Sequence, residues 1–183
     1  GRGIETWNYV NAGGGILLES ADAKAYLNRC TFKDNKAHSA GDIQVLEGAS
    51  CFINRCSFHG ASVTQNVNNT RYNGCSINAD SNTSAAGSPI PVLCIHNSTI
   101  ADALSVYKAN ANYDNGFLPQ VTTVSSHTLI CSSTIYGNSM YTINIARRGA
   151  LNPDRYHLYN SIFMTQATSQ GVGINLHNTG TKN

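Results

Sequence analysis

A short segment recurs along the chain: AYLNRCTF (25–32), CFINRCSF (51–58), TRYNGCSI (70–77), LCIHNSTI (93–100), TLICSSTI (128–135) and YHLYNSIF (156–163). Repetition of this kind constrains a chain to a stack of near-identical units, each burying its apolar face on the next. Aligned on the last residue, the copies place Leu27, Ile53, Tyr72, Ile95, Ile130 and Leu158 in one apolar column, and Phe32, Phe58, Ile77, Ile100, Ile135 and Phe163 in another. A column of small residues, Cys30, Cys56, Cys75, Ser98, Ser133 and Ser161, runs between them.

The first apolar residue and the small one stand three apart, against the period of two of a straight strand, so the chain bends between them. Asn28, Asn54 and Asn73 fall at that bend, and Asn tolerates the left-handed backbone region better than most residues with a side chain. His96, Cys131 and Tyr159 take the same place in the other copies, which ends an Asn ladder after three.

Small-column spacings of 26, 19, 23, 35 and 28 residues match one coil of a right-handed parallel β-helix, an all-β solenoid whose turns supply strands to two or three parallel sheets. Helical solenoids need longer amphipathic units with a 3.6-residue period, which this chain lacks. A β-sandwich would also have many short strands, but the spacing favours stacking over hairpins. About six rungs at ~4.8 Å give a rod of roughly 30 Å. Residues 1–183 are expected to form one such segment, with 103–126 as a long loop between rungs.

Composition bounds the partners. Only 12% of residues are charged, the net charge is +2, and no basic cluster exceeds the pair Arg147–Arg148, which argues against nucleic acid and acidic membrane surfaces. No apolar run approaches the ~20 residues of a membrane span. The chain opens on Gly1 without Met or a signal peptide, and only residues 1–11, with Trp7 and Tyr9, suggest a partial cap. The expectation is a piece of a longer protein, with the remaining parts or a neighbouring surface protein as partners.

The six cysteines do not read as a disulfide framework. Cys30, Cys56 and Cys75 occupy equivalent positions, so their side chains would stack in parallel with the wrong Cβ geometry for a bridge. An unoxidised interior stack is expected, with Cys51 facing inward and Cys94 and Cys131 at outward or corner positions. No CxxC occurs, and no metal site is expected.

The stretches Gly13-Gly14-Gly15-Ile16 and Cys30-Thr31-Phe32-Lys33-Asp34-Asn35 resemble the GG-[AGL]-[ILV] and FxxN repeats of bacterial surface β-helix proteins, the polymorphic outer membrane proteins and related adhesin-like repeat proteins. Ile135-Tyr136-Gly137-Asn138 is a looser FxxN, whereas Phe58-His59-Gly60-Ala61 lacks the Asn. The resemblance spans residues 13 to 165 and implies export and display on the bacterial surface, outer membrane associated or extracellular.

Two functions are weighed. The first is a non-catalytic adhesin, stalk or glycan-contacting rod. Its candidate ligand residues are Tyr107, Asn110, Asn112, Tyr113, Asp114 and Phe117, because sugars stack on aromatic faces and hydrogen-bond to planar polar groups, and loops on a rigid scaffold carry such sites. The plainer reading is that these aromatics pin the loop to the rod. The second is a polysaccharide lyase or glycoside hydrolase, which needs paired carboxylates or a calcium–carboxylate cluster. Asp34 and Asp102 share a column, but three rungs, roughly 14 Å, would separate them. No catalytic residue is therefore assigned, and the first function is favoured.

His59, His127 and His157 take different offsets in the repeat, and only His96 falls in the Asn column, so the histidines read as solvated side chains. No cofactor is expected. Asn110, Asn112 and Asp114 imitate part of a calcium loop, but Val121 stands where the twelfth ligand belongs, which leaves at most loosely held calcium.

Overall fold

The computed structural model describes residues 13–37, 39–63, 76–81, 89–105, 120–137, 141–147, 155–165 and 172–178. Among them there is no helix, and every strand pairing is parallel. The chain first runs through β1 (Ile16–Glu19), β2 (Lys24–Asn28), β3 (Thr31–Lys33) and β4 (Lys36–Ala37). It repeats the circuit with β5 (Ile43–Leu46), β6 (Ser50–Asn54), β7 (Ser57–His59) and β8 (Ser62–Val63), and again with β9 (Ile77–Asp80), β10 (Val92–His96), β11 (Thr99–Ala101) and β12 (Leu104–Ser105). Next come β13 (Val121–Val124), β14 (His127–Cys131) and β15 (Thr134–Gly137), then β16 (Tyr141–Arg147), β17 (Arg155–Tyr159) and β18 (Ile162–Thr165), and last β19 (Val172–Asn178).

Equivalent strands of successive circuits pair. A six-stranded sheet runs β1-β5-β9-β13-β16-β19, a second sheet β2-β6-β10-β14-β17, a third β3-β7-β11-β15-β18 and a short one β4-β8-β12. The arrangement is an all-β, solenoid-like stack of parallel strands. Because the loops leave from corners, register is kept by residue-over-residue pairing: Leu27, Ile53, Ile95, Ile130 and Leu158 form one stack, and Phe32, Phe58, Ile100, Ile135 and Phe163 the next. These side chains point inward with Ile43, Val45, Ile77, Val121 and Ile143 of the six-stranded sheet to make the core. Inside it the rings of Phe32 and Phe58 stack at 4.7 Å.

One expected copy does not belong to this series. β6 pairs directly with β10, and β7 with β11, so residues 70–77 supply no intervening rung. Ile77 instead opens β9, between Ile43 and Val121 in the six-stranded sheet. The small-column steps are therefore 26, 42, 35 and 28 residues. Residues 70–75 lie outside the described part. Within the expected loop 103–126, β12 lies near the start and β13 near the end, and residues 106–119 lie outside the described part.

The bend falls one residue later than the Asn column. Arg29, Arg55, Asn97, Ser132 and Asn160 carry φ between +47° and +56°, while Asn28 and Asn54 end their strands. A left-handed residue rotates the next amide out of the strand ladder, and the small column repairs the loss. Cys56 N donates to Ser98 Oγ at 3.0 Å, Ser98 N to Ser133 Oγ at 3.2 Å and Ser133 N to Ser161 Oγ at 3.1 Å. Cys30 N makes the same contact with Cys56 Sγ at 3.4 Å. Each hydroxyl or thiol in turn donates to the carbonyl two residues before it, as Ser98 Oγ does to His96 O at 2.8 Å. Small size alone does not define the column: it needs a side chain that both donates and accepts.

The described cysteines are free. Cys51 is wholly buried beside the core, whereas Cys94 and Cys131 sit on the outward columns of the second sheet, as their offsets predicted. The Asn of the first FxxN turns inward, where Asn35 Nδ2 donates to Asp42 Oδ1 at 2.8 Å. The Gly14 backbone runs against Gly41 O and Lys36 O so closely that a Cβ would clash, which accounts for the glycine run before Ile16.

Two substitutions test this account. Ser98→Ala strands the Cys56 amide in a buried site and is expected to cost about 1–3 kcal/mol in urea unfolding, whereas Ser98→Cys should cost clearly less. Equal losses would remove the hydrogen-bonding role of the column. Ile95→Asp places a carboxylate at a wholly buried site in the central strand and should abolish cooperative melting by circular dichroism.

Candidate ligand-binding face

The first two sheets of the stack differ in access. In the six-stranded sheet, β5, β9 and β13 are buried on both sides, including the polar outward residues Gln44, Asn78 and Thr122. Asn78 Nδ2 donates to Gln44 Oε1 at 3.2 Å across adjacent strands. The second sheet instead alternates less and more accessible residues along β2, β6, β10 and β17. Its outward side chains form three columns that run along the rod.

The middle column reads Tyr26, Phe52, Cys94, Leu129 and His157. Tyr26 and Phe52 lie one strand apart with ring centroids 4.9 Å apart and planes 7° from parallel, and Tyr26 is 72% exposed. In-register parallel strands impose this face-to-face stack, in which Phe52 covers one face of Tyr26 and the Tyr26 ring, on the edge strand, stands out into solvent. The column beside it begins Asn28, Asn54, His96. Asn54 Nδ2 donates to Asn28 Oδ1 at 3.0 Å, and His96 Nδ1 lies 3.0 Å from Asn54 Oδ1. Because that oxygen can only accept, Nδ1 carries the hydrogen in this contact. Cys131 and Tyr159 continue the column, and the hydrogen bond with the Cys131 thiol pushes the Tyr159 phenol above its ordinary value.

The remaining column, Lys24, Ser50, Val92, His127 and Arg155, borders a cavity of about 310 Å³. Val92, Cys94, His127, Leu129, Arg155 and His157 line it. Repeat offsets concealed that His127 and His157 share a face. His127 precedes the inward Ile130 by three residues and His157 precedes the inward Leu158 by one. Both steps are odd, which in a strand means the outward side.

The thiols here are not poised for nucleophilic work. Burial raises the Cys94 thiol above its ordinary value, with Cys131 nearby adding to the effect, and burial pushes Cys51 up to about 12. Among the described residues no three His, Cys, Asp or Glu side chains gather to hold a metal ion. No helix among them is long and apolar enough to cross a membrane.

The acidic residues lie elsewhere. Asp34, Gly60 and Asp102 occupy one left-handed corner column beside the third sheet, with φ of 53°, 66° and 56°. The expected three-rung separation of the two carboxylates is corrected to two strand spacings, about 10 Å, since the 70–77 copy drops out. A Cβ on Gly60 would stand 2.5 Å from Asp34 Oδ1, so the Asp34 carboxylate leans over the glycine. The anticipated ligand residues Tyr107, Asn110, Asn112, Tyr113, Asp114 and Phe117 lie outside the described residues, as does the supposed calcium loop 110–121 apart from Gln120 and Val121, both of which are buried.

Asp42 is a structural acid. It is wholly buried, accepts from Asn35 Nδ2 and from Ser76 Oγ at 2.6 Å, and its carboxyl is raised because desolvation outweighs those hydrogen bonds. The native state therefore holds the Asp42 proton more tightly than the unfolded chain, and the stability it contributes falls as pH rises from about 4 through the raised value. Asp42→Asn should remove this slope: in urea titrations the variant gains on the wild type as pH rises above about 4. A difference that does not vary with pH would overturn the dominance of desolvation. The chain matches no family model, no curated protein and no solved structure.

Proposed function

We propose that the chain is a right-handed parallel β-helix of about six rungs that serves as a non-catalytic, surface-exposed or secreted module, an adhesin or stalk of the bacterial cell surface that contacts polysaccharide. Right-handedness follows the near-universal hand of parallel crossovers. The observation that carries the function is the row of solvent-facing planar groups on the second sheet: the stacked Tyr26 and Phe52 rings beside the Asn28–Asn54–His96 ladder. The face of Tyr26 that Phe52 does not cover offers a stacking surface for the C–H face of a sugar, and neighbouring amides take its hydroxyls. Strands stacked at ~4.8 Å hold these groups rigidly along a line, which suits an extended polymer. The reading moves the contact from the 103–126 segment to the rod itself.

Display at the bacterial surface rests on the GGGI and FxxN resemblance. The second class of partner, another segment of the same protein or a neighbouring surface protein, is supported by apolar side chains at one end of the stack, where Leu176 is 75% and Ile162 57% exposed.

A glycoside hydrolase remains the second reading because Asp34 leans over Gly60 toward Asp102 from two strands away, close to the roughly 6.5–9.5 Å that separates the carboxyls of inverting enzymes.

Native electrophoresis in gels that each contain one polysaccharide separates the two. Retardation without clearing, reduced at least about tenfold in affinity by the double variant Tyr26→Ala, Phe52→Ala, is the expected result. A cleared zone that vanishes in Asp34→Asn would establish the hydrolase instead.

A further inference from the structure

The second and third sheets segregate charge in a way the net charge hides. None of the ten acidic residues lies in β2, β3, β6, β7, β10, β11, β14, β15, β17 or β18, nor in the bends that join these strands in pairs. The same elements carry Lys24, Arg29, Lys33, Arg55 and Arg155, all exposed, together with His59, His96, His127 and His157. The aromatic pair and the amide ladder thus lie in strands whose only charged side chains are cationic.

The cavity concentrates this character. Val92, Cys94 and Leu129 give it an apolar lining, while Arg155 and His157, both exposed, and His127 bring cationic or hydrogen-bonding groups to its edge. His127 Nδ1 is enclosed without a hydrogen-bond partner, so Nε2 is the ring nitrogen left for a ligand. An apolar lining with an Arg at one side matches a sugar ring that bears a carboxylate, since the guanidinium fork pairs with carboxylates in bidentate fashion.

Resting on the glycan-contacting reading above, we propose that the ligand is an acidic polysaccharide, a polymer of uronate sugars. It lies along the outward columns of the second sheet and seats one carboxylate at Arg155, with His127 and His157 beside it. Lys24, in the same column as Arg155, and Arg29 and Arg55, at the opposite border of the sheet, neutralise further carboxylates, and no acid lies within these strands to oppose them.

The test is affinity electrophoresis of the full chain against alginate, its methyl ester, which keeps the backbone and loses the charge, and linear DNA at equal charge concentration. Retardation by alginate that weakens with added salt, with at least about tenfold weaker retention on the ester, is expected. Arg155→Gln and, independently, His157→Gln should each weaken alginate binding, the former by about tenfold, while Lys36→Gln, which removes an exposed cation from the short sheet, should leave it unchanged. Equal retention by the ester would overturn the acidic specificity and leave glycan contact standing. Failure of alginate, the ester and every neutral polymer to retard the chain would overturn glycan contact itself. Equal retardation by DNA would mean general polyanion binding and would overturn the proposal, and unchanged binding by both Arg155→Gln and His157→Gln would overturn the seat.

Discussion

Each circuit of the chain passes from the second sheet to the third through one left-handed residue, and the amide that follows has no partner within its own strand pair. The Cys and Ser side chains meet that need from the adjacent circuit, so the same groups that allow the bend also tie one layer to the next. A layer shifted by one residue would lose these bonds and bring outward side chains into the core. The placement of the apolar stacks, and of every outward column, depends on this link.

The division of faces follows. With Leu27, Ile53 and Ile95 held inward, residues one place away in each strand must point out, and stacking then lines up side chains that are distant in sequence. Tyr26 meets Phe52, and Asn28 meets Asn54 and then His96, with no local signal in any one segment. In β5, β9 and β13 the six-stranded sheet uses the same pairing differently, burying a polar column that contains Gln44 and Asn78.

Much of the strand framework was legible in the sequence. Five of the six copies fall in register, because two apolar columns and a small one leave little freedom. The 70–77 copy misled because Tyr72, Cys75 and Ile77 satisfy the composition of the pattern, yet Ile77 belongs to a different sheet, a distinction of pairing and not of residue type. Reading Asn as the bend residue failed for a related reason: the left-handed position accepts Arg, Ser and Asn alike, while the Asn column is kept by cross-strand amide contacts. The candidate face was largely hidden. Net charge averages over the chain and cannot reveal that the acids avoid two sheets, and histidine offsets looked unrelated until the alternation of the strand gave them one side.

The circuit that carries 42 residues between Cys56 and Ser98 pairs with its neighbours as regularly as the one that carries 26. Circuit length is therefore uncoupled from layer geometry. Segments can lengthen, shorten or be exchanged at the corners without moving a side chain of the outward columns, so in such a scaffold corner sequences and the track along the rod can diversify as separate traits under separate selection.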